Sequence, residues 1–372
     1  MKENDKVVRR GKVSLDVAPQ EKKELAVNVS GLKAKVGTEY FVNFSVTTVE
    51  PEPLIPEGYE IAHEQFRLPI DPASRSFSVQ GPALQCSENG SLLSVQSSRV
   101  AFVFDKSTGL VTSYKVKGTE YFHEGFGIQP NFWRAPNDND YGSQMPKRLQ
   151  IWKQSSKNFN VVDASLTMDG KDAVLKVSYL LAAGNLYIAT YRIHPSGVVK
   201  ANYTFTSTEM EAAKTEASEA TLMATFTPGN EAIRKESSKL VVPRIGVRFR
   251  LPAEMEQVTY FGRGPEENYC DRNNGTLVGE YQATAEQMYF PYVRPQENGH
   301  HTDTRWLMLK KKNGKGLVVY ADSTLEFNSL RNSIEDFDGE EATHRDYQWG
   351  NRDAEELKHD VSTAKNIKPR HT

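Results

Sequence analysis

Three stretches of this chain concentrate the aromatic and polar side chains that could do chemistry. The first motif is residues 131–142 (NFWRAPNDNDYG), the second is 260–275 (YFGRGPEENYCDRNNG) and the third is 288–306 (MYFPYVRPQENGHHTDTRW). Together they contain neighbouring carboxylates, histidines close to an aspartate, several arginines and several aromatic rings. Acid–base catalysis, metal binding and ligand binding therefore all have to be considered for them.

Two clusters within the second and third motifs suggest catalytic or metal chemistry. Glu266 and Glu267 are adjacent carboxylates, but successive residues of an extended strand point to opposite faces, so we favour a structural role in a turn. His300, His301 and Asp303 invite a metal interpretation, yet no further ligand follows at a suitable spacing. The sequence therefore predicts neither a catalytic carboxylate pair nor a metal site here.

The first motif has two interpretations. Its tryptophan can be buried while its arginine and carboxylates satisfy backbone groups of a long loop, and we favour this structural role. Alternatively, residues 137–148, whose polarity and single proline suit a mobile loop, begin a loop that could contact a substrate directly. The residues that would then lie near the substrate are Trp133, Arg134, Asn137, Asp138, Asn139, Asp140 and Arg148. The same run faintly resembles a calcium loop, but the distant bidentate glutamate is not in place.

The second and third motifs have the composition of a structural or interface unit. Gly262, Gly264 and Pro265 predict a turn, and Arg263 or Arg272 could fix it by pairing with Glu267 or Asp271, since guanidinium groups match carboxylates. The residues assigned to this structural or interface role are Arg263, Glu267, Asn268, Tyr269, Asp271, Arg272, Glu297 and Asn298.

The elements that must position these motifs are mostly strands, because the hydrophobic pattern repeats every two residues. Alternating segments are 25–29, 41–46, 174–180, 187–193, 198–205, 245–249 and 317–320. Turn residues separate them at 107–109, 169–170, 195–197 and 313–314. One segment, 209–220 (EMEAAKTEASEA), is rich in Ala and Glu and predicts an exposed helix. The pattern indicates an all-β protein built of sandwiches.

We expect two domains with a boundary near residue 75. Residues 1–75 predict a small immunoglobulin-like sandwich that holds four or five strands where about seven are needed, so we expect its first strands to be missing. Residues 76–372 predict a large β-sandwich whose last strands are missing, because the charged segment 350–372 ends without a closing strand.

Composition excludes several classes of protein. The 372 residues carry 46 basic and 48 acidic side chains, a net charge of -2, which does not suit a nucleic-acid surface. No apolar run approaches the roughly 18–20 residues of a membrane span. Residues 1–12 are charged and form no secretory signal, which leaves both cytoplasm and periplasm open. Cys86 and Cys270 predict two separate thiols rather than a redox pair.

The motifs resemble those of a known family. The patterns FWRAPxDND, FGRGPxENYxDR and MYxPYxxPxENG, in this order, are similar to the last domain of bacterial glycoside hydrolase family 2 β-galactosidases. Residues 11–19 and 63–68 resemble the immunoglobulin-like domain that precedes it. The resemblance implies a partial immunoglobulin-like domain followed by a large sandwich like that of galactose mutarotase. It also implies that the two catalytic glutamates and the magnesium ligands lie on a (β/α)8 barrel that has no counterpart in this chain.

The resemblance further implies a non-catalytic function. Within an intact enzyme that removes terminal β-D-galactose residues, this region would support the barrel and shape the aglycone side of its pocket. Its partners would be the remainder of the β-galactosidase polypeptide and the galactoside, in a homo-oligomer, with no cofactor in this chain. The family's sugar-stacking tryptophan near the C-terminus is not matched by Trp349, because the surrounding motif differs.

Two alternatives remain from the sequence. A free-standing carbohydrate-binding sandwich could use Trp133, Tyr269 and Trp306 to hold a galactoside. An aldose mutarotase would need a histidine acid and a glutamate base across a pocket, and its candidates are the two histidines of the third motif with Glu297.

Overall fold

The computed structural model describes residues 1–73, 75–181, 184–206, 241–292 and 296–338, and the backbone of Lys358–Ala364. The strands are β1 (Lys2–Glu3), β2 (Lys6–Val7), β3 (Tyr40–Thr47), β4 (Glu60–Arg67), β5 (Gln85–Asn89), β6 (Leu92–Gln96), β7 (Val100–Asp105), β8 (Leu110–Val116), β9 (Thr119–Glu120), β10 (Gln129–Asn131), β11 (Asn160–Asp169), β12 (Asp172–Leu180), β13 (Leu186–Ile193), β14 (Val199–Thr206), β15 (Gly246–Pro252), β16 (Gln257–Gly264), β17 (Leu277–Thr284), β18 (His301–Lys310), β19 (Gly316–Leu330) and β20 (Lys358–Ala364). The short helices are α1 (Asp138–Gly142), α2 (Met145–Arg148), α3 (Gln150–Ser155) and α4 (Ile334–Phe337). The prediction of an all-β protein is confirmed.

The strands form four antiparallel sheets. A small sheet has the order β2-β1-β3-β4, and a five-stranded sheet runs from β5 to β9 in chain order. A second four-stranded sheet runs from β11 to β14, and a seven-stranded sheet has the order β10-β15-β20-β19-β18-β16-β17. The seven-stranded sheet combines strands from distant parts of the chain, and its neighbouring strands bring the second and third motifs together.

Period-two patterning explains the strands of the large region. In β12 the side chains alternate between buried and partly exposed, with Leu175, Val177 and Tyr179 on the buried face. The hairpins turn where the sequence predicts them, and the glycines at these turns adopt positive φ, for example Gly170 at 62° and Gly314 at 84°.

One hydrophobic core joins the three sheets of the large region. Phe102 of β7 packs against Tyr191 of β13 with ring centroids 5.7 Å apart. Phe122, which follows β9, lies 6.0 Å from Phe249 of β15. Because the first contact links the five-stranded sheet to β11–β14 and the second links it to the seven-stranded sheet, the large region folds around a shared interior.

The small sheet docks on the outside of the seven-stranded sheet. Phe41 packs with Phe261, Val278 and Trp306 in a cluster separate from the main core. Its ring meets that of Phe261 edge-on at 6.3 Å. Beside this cluster the carboxylate of Glu39 pairs with the guanidinium groups of Arg67, from the same sheet, and Arg305, from β18.

Some expectations are not met, and others fall outside the described residues. The alternating segment 25–29 is not a strand: Leu25, Val27 and Val29 are 42%, 38% and 39% exposed, and the segment pairs with no described strand that would receive its backbone hydrogen bonds. The predicted helix 209–220 and Trp349 lie outside the described residues. The domain boundary near residue 75 stays a prediction.

Two further features concern the surface. The two cysteines are free thiols, one half-buried and one exposed. Within the described residues, no helix is both long and apolar enough to span a membrane.

Candidate functional site

The first motif is a compact loop held by buried polar contacts. Trp133 is 3% exposed, and its indole Nε1 donates to Asp338 Oδ2 over 2.7 Å. The same aspartate forms an ion pair with Lys153 of α3, whose Nζ lies 2.9 Å from Oδ2. Arg134 forms a two-pronged ion pair with Asp140, in which Nη2 lies 2.8 Å from Oδ1. The loop is therefore fixed at both ends by charge-assisted hydrogen bonds.

A capping box starts the helix that follows. Asn137 Oδ1 accepts from the backbone N–H of Asp140 over 2.9 Å, and Asp140 Oδ2 accepts from the N–H of Asn137 over 2.9 Å. This reciprocal pair satisfies two of the helix N-terminal donors and explains why α1 begins at Asp138.

The remaining candidates of this motif face solvent. Asp138, Asn139 and Arg148 are exposed, on α1 and at the end of α2. Arg148 Nε donates to the carbonyl oxygen of Ser143 over 2.9 Å, which ties α2 to the end of α1. Of the seven substrate-proximal candidates, these three are exposed, whereas Trp133 and Asp140 are buried within the loop.

Asn268 links the second motif to the third. It is fully buried, and its Nδ2 donates to the carbonyl oxygens of Arg263 and Glu266 over 3.1 and 3.0 Å. Its Oδ1 accepts from the backbone N–H and the hydroxyl of Thr302 over 3.1 and 2.6 Å. One amide thus fills all of its hydrogen-bonding positions across two distant segments of the chain.

Glu267 reinforces the same link. Its carboxylate accepts from Arg272 Nη2 over 2.9 Å and from the backbone N–H of Gly299 over 2.7 Å. Burial raises the pKa of Glu267, outweighing these two hydrogen bonds. Its neighbour Glu266 is exposed, so the two carboxylates do not share an environment and do not form a catalytic pair.

The two arginines of the second motif have different partners. Arg272 pairs with Glu267, as expected for one of them, and its guanidinium lies over the ring of Tyr269 at 5.1 Å. Arg263 instead pairs with Asp303 over 2.6 Å. Asp271 is exposed. Arg263 has its partner outside its own motif, because β18 runs directly beside β16 and presents Asp303 to it.

The third motif folds back on itself through Asn298. Its Oδ1 accepts from the N–H of Phe290 over 2.8 Å, and its Nδ2 donates to the carbonyl oxygen of Phe290 over 2.6 Å. The Asn298 amide therefore binds both backbone groups of Phe290, as a neighbouring strand would, and holds the segment after Phe290 close to Asn298. Asn298 is 3% exposed, so its role is structural.

Glu297 lies in a buried polar network. Its Oε1 accepts from Arg244 Nη2 over 2.6 Å and from Asn328 Nδ2 over 2.9 Å. The side chains of Arg244 and Glu297 are 6% and 4% exposed. Burial opposes ionisation of Glu297, but the Arg244 guanidinium outweighs it, and the pKa of the carboxyl is lowered. Glu297 is therefore an ion-pair partner rather than a free base.

Both histidines of the third motif are enclosed. His300 Nδ1 lies 2.9 Å from Asn328 Oδ1, His300 Nε2 lies 3.1 Å from Glu326 Oε2, and its ring stacks on Tyr269 at 5.0 Å. His301 is 2% exposed, and burial lowers its pKa to about 4. In this arrangement neither imidazole presents a ring nitrogen to solvent as an acid for a sugar substrate.

A small cavity lies where the first and third motifs meet. It holds about 30 Å³ and is lined in part by Ala135, Arg244, Arg248 and Glu297. This volume is room for one or two water molecules. Arg248 forms a two-pronged pair with Glu335, both contacts being 2.8 Å, while its Nε has no partner. The cavity is thus polar and too small to admit a pyranose ring as it stands.

No group of three or more potential metal-ligating His, Cys, Asp or Glu side chains occurs among the described residues. His300, His301 and Asp303 do not converge, since they point to Glu326, to backbone carbonyls and to Arg263 respectively. The residues that complete the site but were missed by sequence reasoning are Arg244, Arg248, Asn328, Glu335 and Asp338. No local spacing signals them, because each is brought in by tertiary structure.

Two family models match the chain. Residues 96–365 match the family described as "Beta galactosidase small chain", and residues 1–69 match "Beta-galactosidase, domain 4". The first match covers most of the chain and contains all three motifs.

Curated relatives carry the same name. A β-galactosidase of Priestia megaterium is 30% identical over 333 residues, which are 89% of this chain and 29% of that enzyme. The β-galactosidase of Streptococcus thermophilus is 25% identical over 363 residues, 96% of this chain and 31% of that enzyme. That of Lactococcus lactis is 29% identical over 288 residues, 76% and 27% respectively.

The chain therefore spans about 30% of the length of these relatives. The three motifs, the all-β fold and both family matches agree on one assignment: the chain belongs to the β-galactosidase family and corresponds to the C-terminal region of those glycosidases.

Proposed function

We propose that this chain is the non-catalytic C-terminal part of a β-galactosidase, an enzyme that hydrolyses terminal non-reducing β-D-galactose residues. In the intact enzyme it supports the catalytic barrel and helps to shape the aglycone side of the pocket. The observation that carries this proposal is the structure of the first motif, in which buried side chains hold the loop in place while other side chains of the same loop are exposed. Trp133 and the Arg134–Asp140 pair fix the loop, while Asp138, Asn139 and Arg148 face outward.

The state of the carboxylates supports a non-catalytic role. Retaining glycoside hydrolysis needs two carboxyl groups about 5–5.5 Å apart, one as acid and one as nucleophile, both open to the sugar. Glu267 and Glu297, the motif glutamates with buried carboxylates, are each engaged by an arginine and by a further hydrogen bond. We propose that the catalytic glutamates and the magnesium of the intact enzyme belong to the remainder of the polypeptide, and that the intact enzyme is a homo-oligomer.

The experiment uses an antibody raised to this chain. Material precipitated from source cells is assayed with a chromogenic β-galactoside, beside the purified chain alone at the same concentration. We expect galactosidase activity in the precipitate and none from the chain alone. A precipitate that contains the chain but no galactosidase activity would overturn the proposal, and so would turnover that co-purifies with the isolated chain.

A free-standing sugar-binding role is the alternative proposal, and the cavity dimensions weigh against it. Titration of the isolated chain with galactose or lactose, followed by tryptophan fluorescence, separates the two. Trp133 lies within the first motif, so a galactoside bound there should change its emission. A saturable change at millimolar sugar would favour the binding module, and its absence would favour the supporting role.

A further inference from the structure

One carboxylate oxygen holds the chain on both sides of the first-motif loop. Asp338 Oδ2 accepts a hydrogen bond from Trp133 Nε1 over 2.7 Å and lies 2.9 Å from Lys153 Nζ. Trp133 precedes the segment 134–152, and Lys153, on α3, follows it. The two flanks of this segment therefore meet at a single atom of a residue that comes 205 positions after Trp133.

These contacts are shielded from water. The side chains of Asp338 and Lys153 are 7% and 24% exposed, and Trp133 is 3% exposed. Charge-assisted hydrogen bonds are among the strong ones, and an indole has a single N–H, so loss of the carboxylate would leave a buried donor without its partner. The position of Trp133 is therefore coupled to that of Asp338.

Asp338 is in turn fixed to the large region through α4, the helix that it follows. Glu335 of α4 binds Arg248 of β15 through two contacts of 2.8 Å. Phe337 is 5% exposed, and its ring stacks on that of Tyr289 with centroids 6.2 Å apart. One short helix thus connects β15 and the third motif to the carboxylate, so Asp338 is anchored independently of the first-motif loop.

Polar contacts within the segment 134–152 fix its shape. Arg134 pairs with Asp140, and Arg148 Nε donates to the carbonyl oxygen of Ser143. Both partners of each contact belong to the segment. These contacts therefore hold its internal conformation but do not place it on the large region.

Buried side chains also attach the second half of the segment to the large region. Met145, Leu149 and Trp152 are buried, and Trp152 Nε1 donates to the carbonyl oxygen of Val241 over 3.0 Å. The first half follows directly from the tryptophan that Asp338 binds. Because burial of apolar surface is non-directional, the hydrogen bond to Asp338 supplies a directional constraint at the start of the segment.

We propose that Asp338 is a positioning residue that sets where Asp138, Asn139 and Arg148 stand, and that it thereby determines how well the intact enzyme accepts a hydroxylated aglycone. This inference rests on the proposed function, which assigns the exposed residues of the first motif to the aglycone side of the pocket. Carboxylate, amide and guanidinium groups bind sugar hydroxyls, whereas an aryl group offers them few partners. A sugar aglycone should therefore depend more strongly on their placement.

The test compares two substrates of the intact enzyme, the full-length polypeptide that contains this chain. Its kcat/KM is measured for lactose, whose aglycone is a sugar, and for nitrophenyl β-D-galactoside, whose aglycone is an aromatic ring. The ratio of the two kcat/KM values does not depend on the fraction of enzyme that is folded. We expect Asp338→Leu, which removes both contacts, to lower this ratio at least about fivefold, mainly through a higher KM for lactose.

Asp322→Leu is the matched control. Asp322 lies on β19 with 92% of its side chain exposed, and this variant should keep the wild-type ratio within about 1.5-fold. An unchanged ratio in Asp338→Leu would overturn the inference, and so would equal shifts in the two variants.

Asp338→Asn gives a graded response. It should lower the ratio by a smaller factor than Asp338→Leu, because its amide oxygen still accepts from Trp133 while the charge that binds Lys153 is lost. If Asp338→Leu yields no active enzyme, Asp338→Asn carries the test, and an unchanged ratio there contradicts the inference in the same way.

Trp133→Phe tests the route through the indole, since it removes the N–H and keeps an aromatic ring. We expect it to lower the ratio, and to add little when combined with Asp338→Leu, because both changes remove the same hydrogen bond. Shifts that multiply in the double variant would mean that the two residues act independently, against the inference. A wild-type full-length polypeptide without β-galactosidase activity would instead defeat the proposed function, and this inference with it.

Discussion

The side-chain amide of Gln65 binds both backbone groups of Val278, donating to its carbonyl oxygen over 2.9 Å and accepting from its N–H over 2.8 Å. The same Nε2 lies 3.2 Å from Asn43 Oδ1, which holds the amide in this orientation. The side chain of Gln65 on β4 thus makes the hydrogen bonds to β17 that a neighbouring strand would make. It joins the small sheet to the large region beside the Phe41 cluster.

Gln65→Leu should weaken this joint. The backbone groups of Val278 lose two partners, each contributing about 1 kcal/mol net, so we expect the free energy of unfolding to fall by roughly 1–3 kcal/mol. Urea denaturation followed by circular dichroism measures it. Gln282→Leu, at an exposed position of the same strand β17, is the control and should change stability by less than about 0.5 kcal/mol. Equal effects would show that the Gln65 contact contributes nothing specific.

Arg244→Leu should be strongly destabilising. It leaves the carboxylate of Glu297 buried without its cation, and breaking a buried pair typically costs about 3–5 kcal/mol. The double variant Arg244→Leu with Glu297→Leu removes both charges and should be more stable than the single variant. Thermal unfolding of both proteins checks this order, and a double variant that is less stable than Arg244→Leu would contradict it.

Acid should weaken the Arg248–Glu335 pair in a defined window. Burial opposes ionisation of Glu335, but the hydrogen bonds and charge of Arg248 lower its pKa from 4.5 to about 2. A folded pKa below the unfolded value means that the ionised group stabilises the fold above pH 4.5, and that this contribution is lost as the pH falls towards 2. Because 40% of the Glu335 side chain is exposed, solvent screening reduces the effect.

The measurement is the melting temperature of wild type and Glu335→Gln between pH 5 and pH 2.5. We expect the wild type to fall more steeply, so that the difference between the two proteins narrows in acid. Glu280→Gln, at an exposed position, should keep the wild-type slope. Parallel curves for wild type and Glu335→Gln would show that this pair does not govern acid stability.

Asn137→Ala should destabilise helix α1, which carries the exposed residues of the first motif. Loss of an N-cap side chain costs about 1 kcal/mol, here together with the reciprocal contact to Asp140. Faster amide exchange across α1 reports the change. Asn139→Ala, an exposed position two residues later, is the matched control and should leave exchange unaltered.

Removal of divalent metals should leave the isolated chain unchanged. The described residues hold no cluster of three potential metal-ligating side chains, so EDTA is expected to shift the melting temperature by less than about 1 °C. A larger fall that magnesium or calcium reverses would reveal a site within this chain.

The sequence predicted most of what depends on local pattern. The strands of the large region follow the alternation of apolar and polar residues in the sequence. The glycines at 170 and 314 mark hairpins because tight turns need positive φ. Motif density also located the polar centre, since Asn268, Glu297 and Asn298 are all buried in it.

What the sequence could not supply are partners from distant segments. Arg263 pairs with Asp303 because the register of β18 is irregular between His301 and Thr304 and Asp303 adopts a φ of 51°. Arg244 comes from 53 positions before Glu297. The segment 25–29 has a strand pattern without a strand, because alternation specifies what a segment would bury and not whether a partner is present.

The hydrogen bonds of Asn268 have a consequence for how this region can change over time. Four contacts fix its amide between the second motif and Thr302, so a substitution at either position leaves buried polar atoms of the other without partners. A substitution at Asn268 therefore requires a compensating substitution at Thr302, 34 positions away, and the reverse also holds. The two motifs should be inherited as a single unit, and exchanging one of them alone between related enzymes should yield an unstable hybrid.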